Sequence, residues 1–306
     1  MRNAFIAELT ILAASDPRIM LIVGDLGYGV VDEFAQTMPE QFLNAGVAEQ
    51  NMIGVAAGLA SVGRKVFVYS IANFPTFRAL EQIRNDICYH GLDVTVVAVG
   101  AGVAYGAHGY THHAVEDISI MRALPDMTVL SPADPLEAKL VARFAVENSG
   151  PKYVRLGKNG ESDLHSHDLL NSKLVSPLVV RQGADLTIAS TGAIASECRM
   201  AAEILEESGI KTQVLTFPII KPFPQEWVKN LNSRVPILTV EEHVRDGGFG
   251  SALLESISDW HKPNRVWRLT LESQHLRTAR SQVALRELHK IDSLAIASFI
   301  LKLDLV

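Results

Sequence analysis

Asn44-Ala45-Gly46-Val47-Ala48-Glu49-Gln50-Asn51-Met52, running on into Ile53-Gly54-Val55-Ala56-Ala57-Gly58-Leu59-Ala60, sets one carboxylate at the start of an otherwise apolar run of small residues. The pattern predicts a helix over 50–62 that packs closely, because glycine and alanine add so little bulk. A glutamate in a first helical turn is ordinarily a surface charge favoured by the helix dipole. Drawn into apolar surroundings, a carboxylate is costly unless something binds or neutralises it. Glu49 is therefore the first candidate for chemistry.

Outward from this helix, apolar β-rich runs alternate with helical patterns. Ile19-Met20-Leu21-Ile22-Val23 reads as a buried strand ending at Gly24-Asp25, and Lys65-Val66-Phe67-Val68-Tyr69 as a second. Val94 to Val99 is a third strand and Met127 to Leu130 a fourth, with helices expected at 76–90, at 116–123 and from Asp134-Pro135 onward. Continuous apolar strands separated by helices argue for a parallel sheet covered on both faces. From about 160 to 182 the chain turns polar, as in Glu161-Ser162-Asp163, and reads as a linker. A second unit follows, with strands at 186–190, 211–215, 236–240 and 265–269, a helix at 194–208, and a loop carrying Pro218, Pro222 and Pro224. The expected fold class is α/β: two consecutive open α/β domains with mainly parallel sheets, at 1–160 and 183–306, joined by a linker at 161–182. In such sheets ligands bind where strands end and loops begin.

Composition narrows the function classes. The 306 residues suffice for two cores, and a net charge of −6 gives no reason to expect nucleic acid or an anionic membrane as partner. No apolar run reaches membrane-spanning length, and Met1-Arg2-Asn3-Ala4-Phe5 begins an amphipathic helix that lacks a signal-peptide core. Cys88 and Cys198 stand far apart without metal or CxxC spacing, as buried reduced thiols would. A soluble cytoplasmic enzyme component acting on small molecules is expected.

Gly46-Val47-Ala48-Glu49-Gln50-Asn51-Met52, with Gly54 behind it, resembles the signature of the pyrimidine-binding domain of thiamine-diphosphate enzymes of the transketolase group. Further landmarks fall in family order. Val23-Gly24-Asp25-Leu26 resembles the strand-end acid, and the Tyr69–Arg84 segment resembles the one whose aromatic residue packs on the aminopyrimidine. Gly106-Ala107-His108-Gly109-Tyr110-Thr111-His112-His113 resembles the G-x-D-G-x-T-H loop with its substrate-facing histidine. Leu130-Ser131-Pro132-Ala133-Asp134 and Tyr153-Val154-Arg155-Leu156-Gly157-Lys158 match the end of that domain. Glu241-Glu242-His243 with Gly247-Gly248-Phe249-Gly250-Ser251 resembles the C-terminal transketolase domain. Through this resemblance, which spans nearly the whole chain, thiamine diphosphate is the implied cofactor.

The resemblance implies roles for individual residues. Glu49 would hydrogen-bond or protonate the aminopyrimidine nitrogen; Phe74 would stack on that ring and Phe77 pad the same pocket. Asp25 has two readings, contact with the cofactor edge or interface, and a helix N-cap. His112 would polarise a carbonyl or hold a hydroxyl, with His113 behind it. Lys158 stands where the family commonly has an arginine gripping the substrate phosphate, and Arg155 is an alternative grip. A lysine lacks arginine's bidentate fork, so that exchange is not neutral. His108 replaces a family aspartate and Gly100 a histidine of classical sugar-phosphate members. Lost hydroxyl partners change discrimination strongly, which leaves open a modified or nucleotide-linked sugar or an α-keto acid as donor.

One half of the family pattern is missing. No G-D-G followed downstream by asparagine, the element that holds Mg²⁺ and the diphosphate, is present. Gly247-Gly248-Phe249-Gly250 is read as a structural turn in preference to a phosphate loop. No metal ligand is assigned to this chain. The resemblance implies the C-terminal subunit of a split transketolase, moving a two-carbon ketol unit from a ketose to an aldose. A separate N-terminal transketolase subunit would carry the diphosphate and hold most of the metal, in a heterotetramer. The alternatives are the beta subunit of a 2-oxo-acid dehydrogenase and a 1-deoxy-xylulose-phosphate-synthase-like decarboxylating transferase.

Overall fold

The apolar run Ile19–Val23 and the run Val94–Val99, apolar but for Thr95, are buried along their whole length, which only a sheet covered on both faces allows. The computed structural model describes residues 1–258, 264–272 and 276–303, so the expected C-terminal limit at 306 lies outside the described residues. Its strands, in chain order, are β1 (Ile19–Val23), β2 (Phe42–Asn44), β3 (Lys65–Ile71), β4 (Val94–Val99), β5 (Thr128–Leu130), β6 (Lys152–Leu156), β7 (Leu178–Arg181), β8 (Leu186–Ser190), β9 (Thr212–Thr216), β10 (Ile219–Lys221), β11 (Ile237–Val244) and β12 (Val266–Leu271). They form a seven-stranded sheet in the order β10-β5-β6-β4-β3-β1-β2 and a five-stranded sheet in the order β12-β11-β8-β9-β7. All pairings are parallel except β10 with β5 and β7 with β9. The architecture is α/β, as expected from the sequence.

The first sheet is covered on one face by the helix Glu49–Ser61, which buries Met52, Ile53 and Ala56. Helices Arg2–Ser15 and Pro135–Glu147 cover the other face, through Phe5, Leu9 and Val141. A third cluster, around Ile188, Leu205 and Val240, fills the second sheet. Short polar elements depart from the sequence reading. Strand β2 was not anticipated. The Pro218–Pro224 loop holds β10, which crosses to the first sheet with Ile219 opposite Leu130. Lys221 Nζ anchors that crossing by donating to the carbonyls of Arg122, at 2.9 Å, and Leu124. The expected linker is fastened too, its far end becoming β7. His165 Nε2 lies 2.8 Å from Glu137 Oε1, and the Leu164 amide donates to Asp134 Oδ2 at 2.8 Å.

The expected helix at 76–90 is irregular. It opens with a wide π-type turn over Phe74–Arg78, passes through Leu80–Gln82 and closes with a second such turn over Ile83–Cys88. Wide turns of this kind recur at functional sites because they re-aim side chains.

Candidate active site

Glu49 is the first residue of its helix, with only 4% of its surface exposed. The preceding chain leaves β2, and Asn44 organises it by accepting the amides of Asp25, at 3.1 Å, and Gly46, at 3.0 Å. Arg78 Nη1 donates to Glu49 Oε1 at 3.1 Å, and the Arg78 guanidinium lies 4.2 Å from the centre of the Phe74 ring. Phe74 also meets His112 edge-on at 5.4 Å. Next to Phe74, Asn73 Nδ2 donates to Thr111 O at 3.0 Å, while its Oδ1 is buried without a hydrogen-bond partner.

The loop beyond β4 closes on itself, with Gly102 and Ala114 exchanging both backbone hydrogen bonds at 2.9 Å. Its tip carries His108 and His112, whose rings lie 5.0 Å apart, and Thr111 Oγ1 sits 3.0 Å from His112 Nδ1. Gly100 has φ +96°, and a Cβ there would lie 2.1 Å from the Tyr105 ring. Tyr105 thus fills the space a side chain at 100 would need. Its ring faces Lys158 Nζ at 5.4 Å, and its hydroxyl accepts from Arg2 Nη1 at 3.5 Å. Among the described residues no carboxylate pairs with Arg2 or Lys158. The side chains therefore run from a buried carboxylate, past an aromatic face and two histidines, to two cations.

Burial, the neighbouring His108 and the positive Arg78 hold His112 below the usual histidine value. A ring-labelled NMR titration is expected to place it below about 6.5. The sign follows from linkage. The unfolded chain takes the proton first, so the stability this group contributes is full above about 6.5 and falls as pH drops through the lower folded value. A His112 value at or above the ordinary one would show that burial and nearby charge do not govern the ring.

Several residues singled out in the sequence lie elsewhere. Arg155 cannot grip a substrate. It is only 2% exposed, Nε donates to Asp117 Oδ2 at 2.8 Å, and Nη2 donates to the carbonyls of Ala114, at 2.8 Å, and Glu242, at 2.9 Å. Phe77 is 49% exposed and takes no part in the contacts that join Phe74 to His112. Asp25 is exposed at φ +54° and accepts from Asn44 Nδ2 and Tyr28 Oη, both at 3.0 Å, bonds that hold its carboxyl below the usual value. It does not act as a helix cap, since the next helix begins only at Asp32. The glycine turn after β11 is engaged within the chain: Glu241 accepts the amides of Phe249, at 2.6 Å, and Gly250, at 2.9 Å. Sequence reasoning missed Arg78, Asn73, Tyr105 and Arg2. Arg78 lies inside the segment that resembles the aromatic-bearing one, but the wide turn over Phe74–Arg78 that brings it onto Phe74 has no local signal in the sequence. Nothing local marks Arg2, which reaches Tyr105 only through tertiary packing.

The sequence compares directly with known proteins. Residues 1–160 match the transketolase pyrimidine binding domain and residues 177–295 the transketolase C-terminal domain. The chain belongs to the transketolase family. It is 36% identical over 267 residues to an apulose-4-phosphate transketolase subunit of Phocaeicola vulgatus, covering 87% of this chain and 86% of that one. It is likewise 36% identical over 288 residues to a putative transketolase C-terminal section of Methanocaldococcus jannaschii, covering 94% and 90%. Among solved structures it is similar to a split gene transketolase described as an inactive β4 tetramer. That match has 34% identity and a TM-score of 0.87, and covers 98% of this chain and 96% of the other. A transferase subunit of transketolase type follows from these likenesses, and among the described residues no helix is long and apolar enough to cross a membrane.

Proposed function

We propose that this chain is the pyrimidine-side subunit of a split, thiamine-diphosphate-dependent transketolase that moves a two-carbon ketol unit from a ketose to an aldose. The observation that carries the reading is the line of contacts from Glu49 through Arg78 to Phe74, His112 and His108, and on to Tyr105, Lys158 and Arg2. The cofactor's planar, nitrogen-bearing ring fits the first end. Glu49 offers a buried carboxylate, Phe74 a half-buried aromatic face and Asn73 a buried acceptor that lacks a partner. Thiamine diphosphate, when bound, supplies the nucleophilic carbon that accepts the ketol unit. Glu49 holds the ring nitrogen and its protonation. His112 and His108 face the sugar's carbonyl and hydroxyls, and hold or move protons there. Lys158 and Arg2 attract an anionic group at the substrate's far end, as a phosphorylated sugar would present.

The diphosphate and Mg²⁺ are assigned to a separate subunit, in a heterotetramer of two chains of each kind. Tyr28, Leu43 and Val47, all exposed, border the Asp25–Asn44 pair beside the site and suit such an interface. The related chain described as inactive when assembled from its own copies supports the need for a partner. Calorimetric titration of thiamine diphosphate with Mg²⁺ tests the proposal, using this chain alone and mixed with a chain bearing the G-D-G…N element. Tight binding is expected only in the mixture. Tight binding to the isolated chain would overturn the division of labour, and none in either would overturn the cofactor assignment.

A further inference from the structure

The two side chains proposed to receive the cofactor ring are both engaged by Arg78. Its Nη1 donates to Glu49 Oε1 at 3.1 Å while its guanidinium carbon lies 4.2 Å above the Phe74 centroid. A guanidinium is a flat cation that presents N–H donors at its edge and a delocalised face above and below. A protonated or amino-bearing pyrimidine has the same outline: a flat ring with N–H donors at the edge and a face that stacks. Arg78 therefore makes the contacts that such a ring would make, one hydrogen bond to the carboxylate and one face on the aromatic ring.

We propose that Arg78 is a built-in competitor for the cofactor's aminopyrimidine, and that its displacement sets the affinity of the site. The inference rests on the assignment of Glu49 and Phe74 to that ring. Three observations make displacement feasible. The Arg78 side chain is 50% exposed, so it can swing into water without leaving a cavity. Among the described residues its one ion pair is with Glu49, and no backbone carbonyl accepts from its guanidinium. It sits at the end of the wide turn Phe74–Arg78, where helical bonding is already irregular and side-chain direction is less constrained. Phe74 is itself held in place by a T-shaped contact with His112 at 5.4 Å, which keeps its ring in the position Arg78 covers. Until a ring displaces it, Arg78 serves Glu49 by giving a poorly hydrated carboxylate a donor and a counter-charge.

Calorimetry of thiamine diphosphate at saturating Mg²⁺ in the assembled complex, comparing wild type, Arg78→Ala and Arg78→Lys, tests this without reference to turnover. An exposed cation–π contact and a half-exposed ion pair are each modest, so Arg78→Ala is expected to tighten binding about five- to tenfold. Arg78→Lys keeps the charge but loses the flat face, and should fall between the two. Unchanged or weaker binding by Arg78→Ala would overturn the competitor role and leave the cofactor assignment standing. Absence of binding in the wild-type complex would sink both. Because Arg78 is half-exposed, both variants should melt near wild type; an Arg78→Ala protein that unfolds first would show the residue to be structural, and would also overturn the proposal.

Discussion

In the proposed two-subunit complex, Glu49→Gln is expected to lower kcat by about 10²- to 10⁴-fold, the range for losing a positioned proton-transfer group. Glutamine keeps the length and one acceptor oxygen of the carboxylate, so the loss would report protonation chemistry rather than shape. Folding should hardly change. What is lost is the charge of a nearly buried carboxylate paired with a half-exposed arginine, an interaction of limited worth, and the melting temperature should move by only a few degrees. Cofactor binding should weaken, the direction opposite to that expected for Arg78→Ala. The pair of variants thus separates a group that holds the ring from one that competes with it. A Glu49→Gln complex retaining kcat within twofold would mean that this carboxylate serves the helix start and nothing more.

How far the sequence could be read depended on the range of the interactions involved. Strands β1 and β4 announce themselves, since five consecutive apolar residues, or a valine-rich run broken only by Thr95, have few other places to go. Glu49 was legible because its anomaly is local: one acid at the head of a run of small apolar residues. Of the edge strands only β12 was legible, as the strand expected at 265–269. β2, β7 and β10 are three or four residues long and carry polar positions, and each forms only because a neighbouring edge is there to pair with. Arg155 failed for a related reason. An arginine three residues before Lys158 resembles a second grip, and only the folded structure shows that Asp117 and two carbonyls enclose it. Likewise the meaning of Gly100 lies in Tyr105, five residues on, whose ring takes the space.

The buried centre formed by Arg155 supports a prediction of comparable size for stability. Arg155→Met is expected to cost about 3–5 kcal/mol in denaturant unfolding, because removing one partner leaves a buried charge without compensation. Asp117 Oδ2 would retain only the Tyr153 hydroxyl, at 2.8 Å, while Oδ1 already has no partner. The carbonyls of Ala114 and Glu242 would each lose a donor as well, and one belongs to the neck of the histidine loop and the other to β11 in the second sheet. Arg155 therefore ties the two sheets together at the base of the loop that carries His108 and His112. Two consequences distinguish this role from ordinary core packing. Adding Asp117→Asn to Arg155→Met should recover part of the loss, since it removes the stranded charge rather than restoring a contact. Unfolding should also become less cooperative, with the second sheet separating at lower denaturant than the first. A single variant within about 1 kcal/mol of wild type, or a double variant less stable than the single, would show that the pair is solvated or replaceable and that apolar packing alone joins the two units.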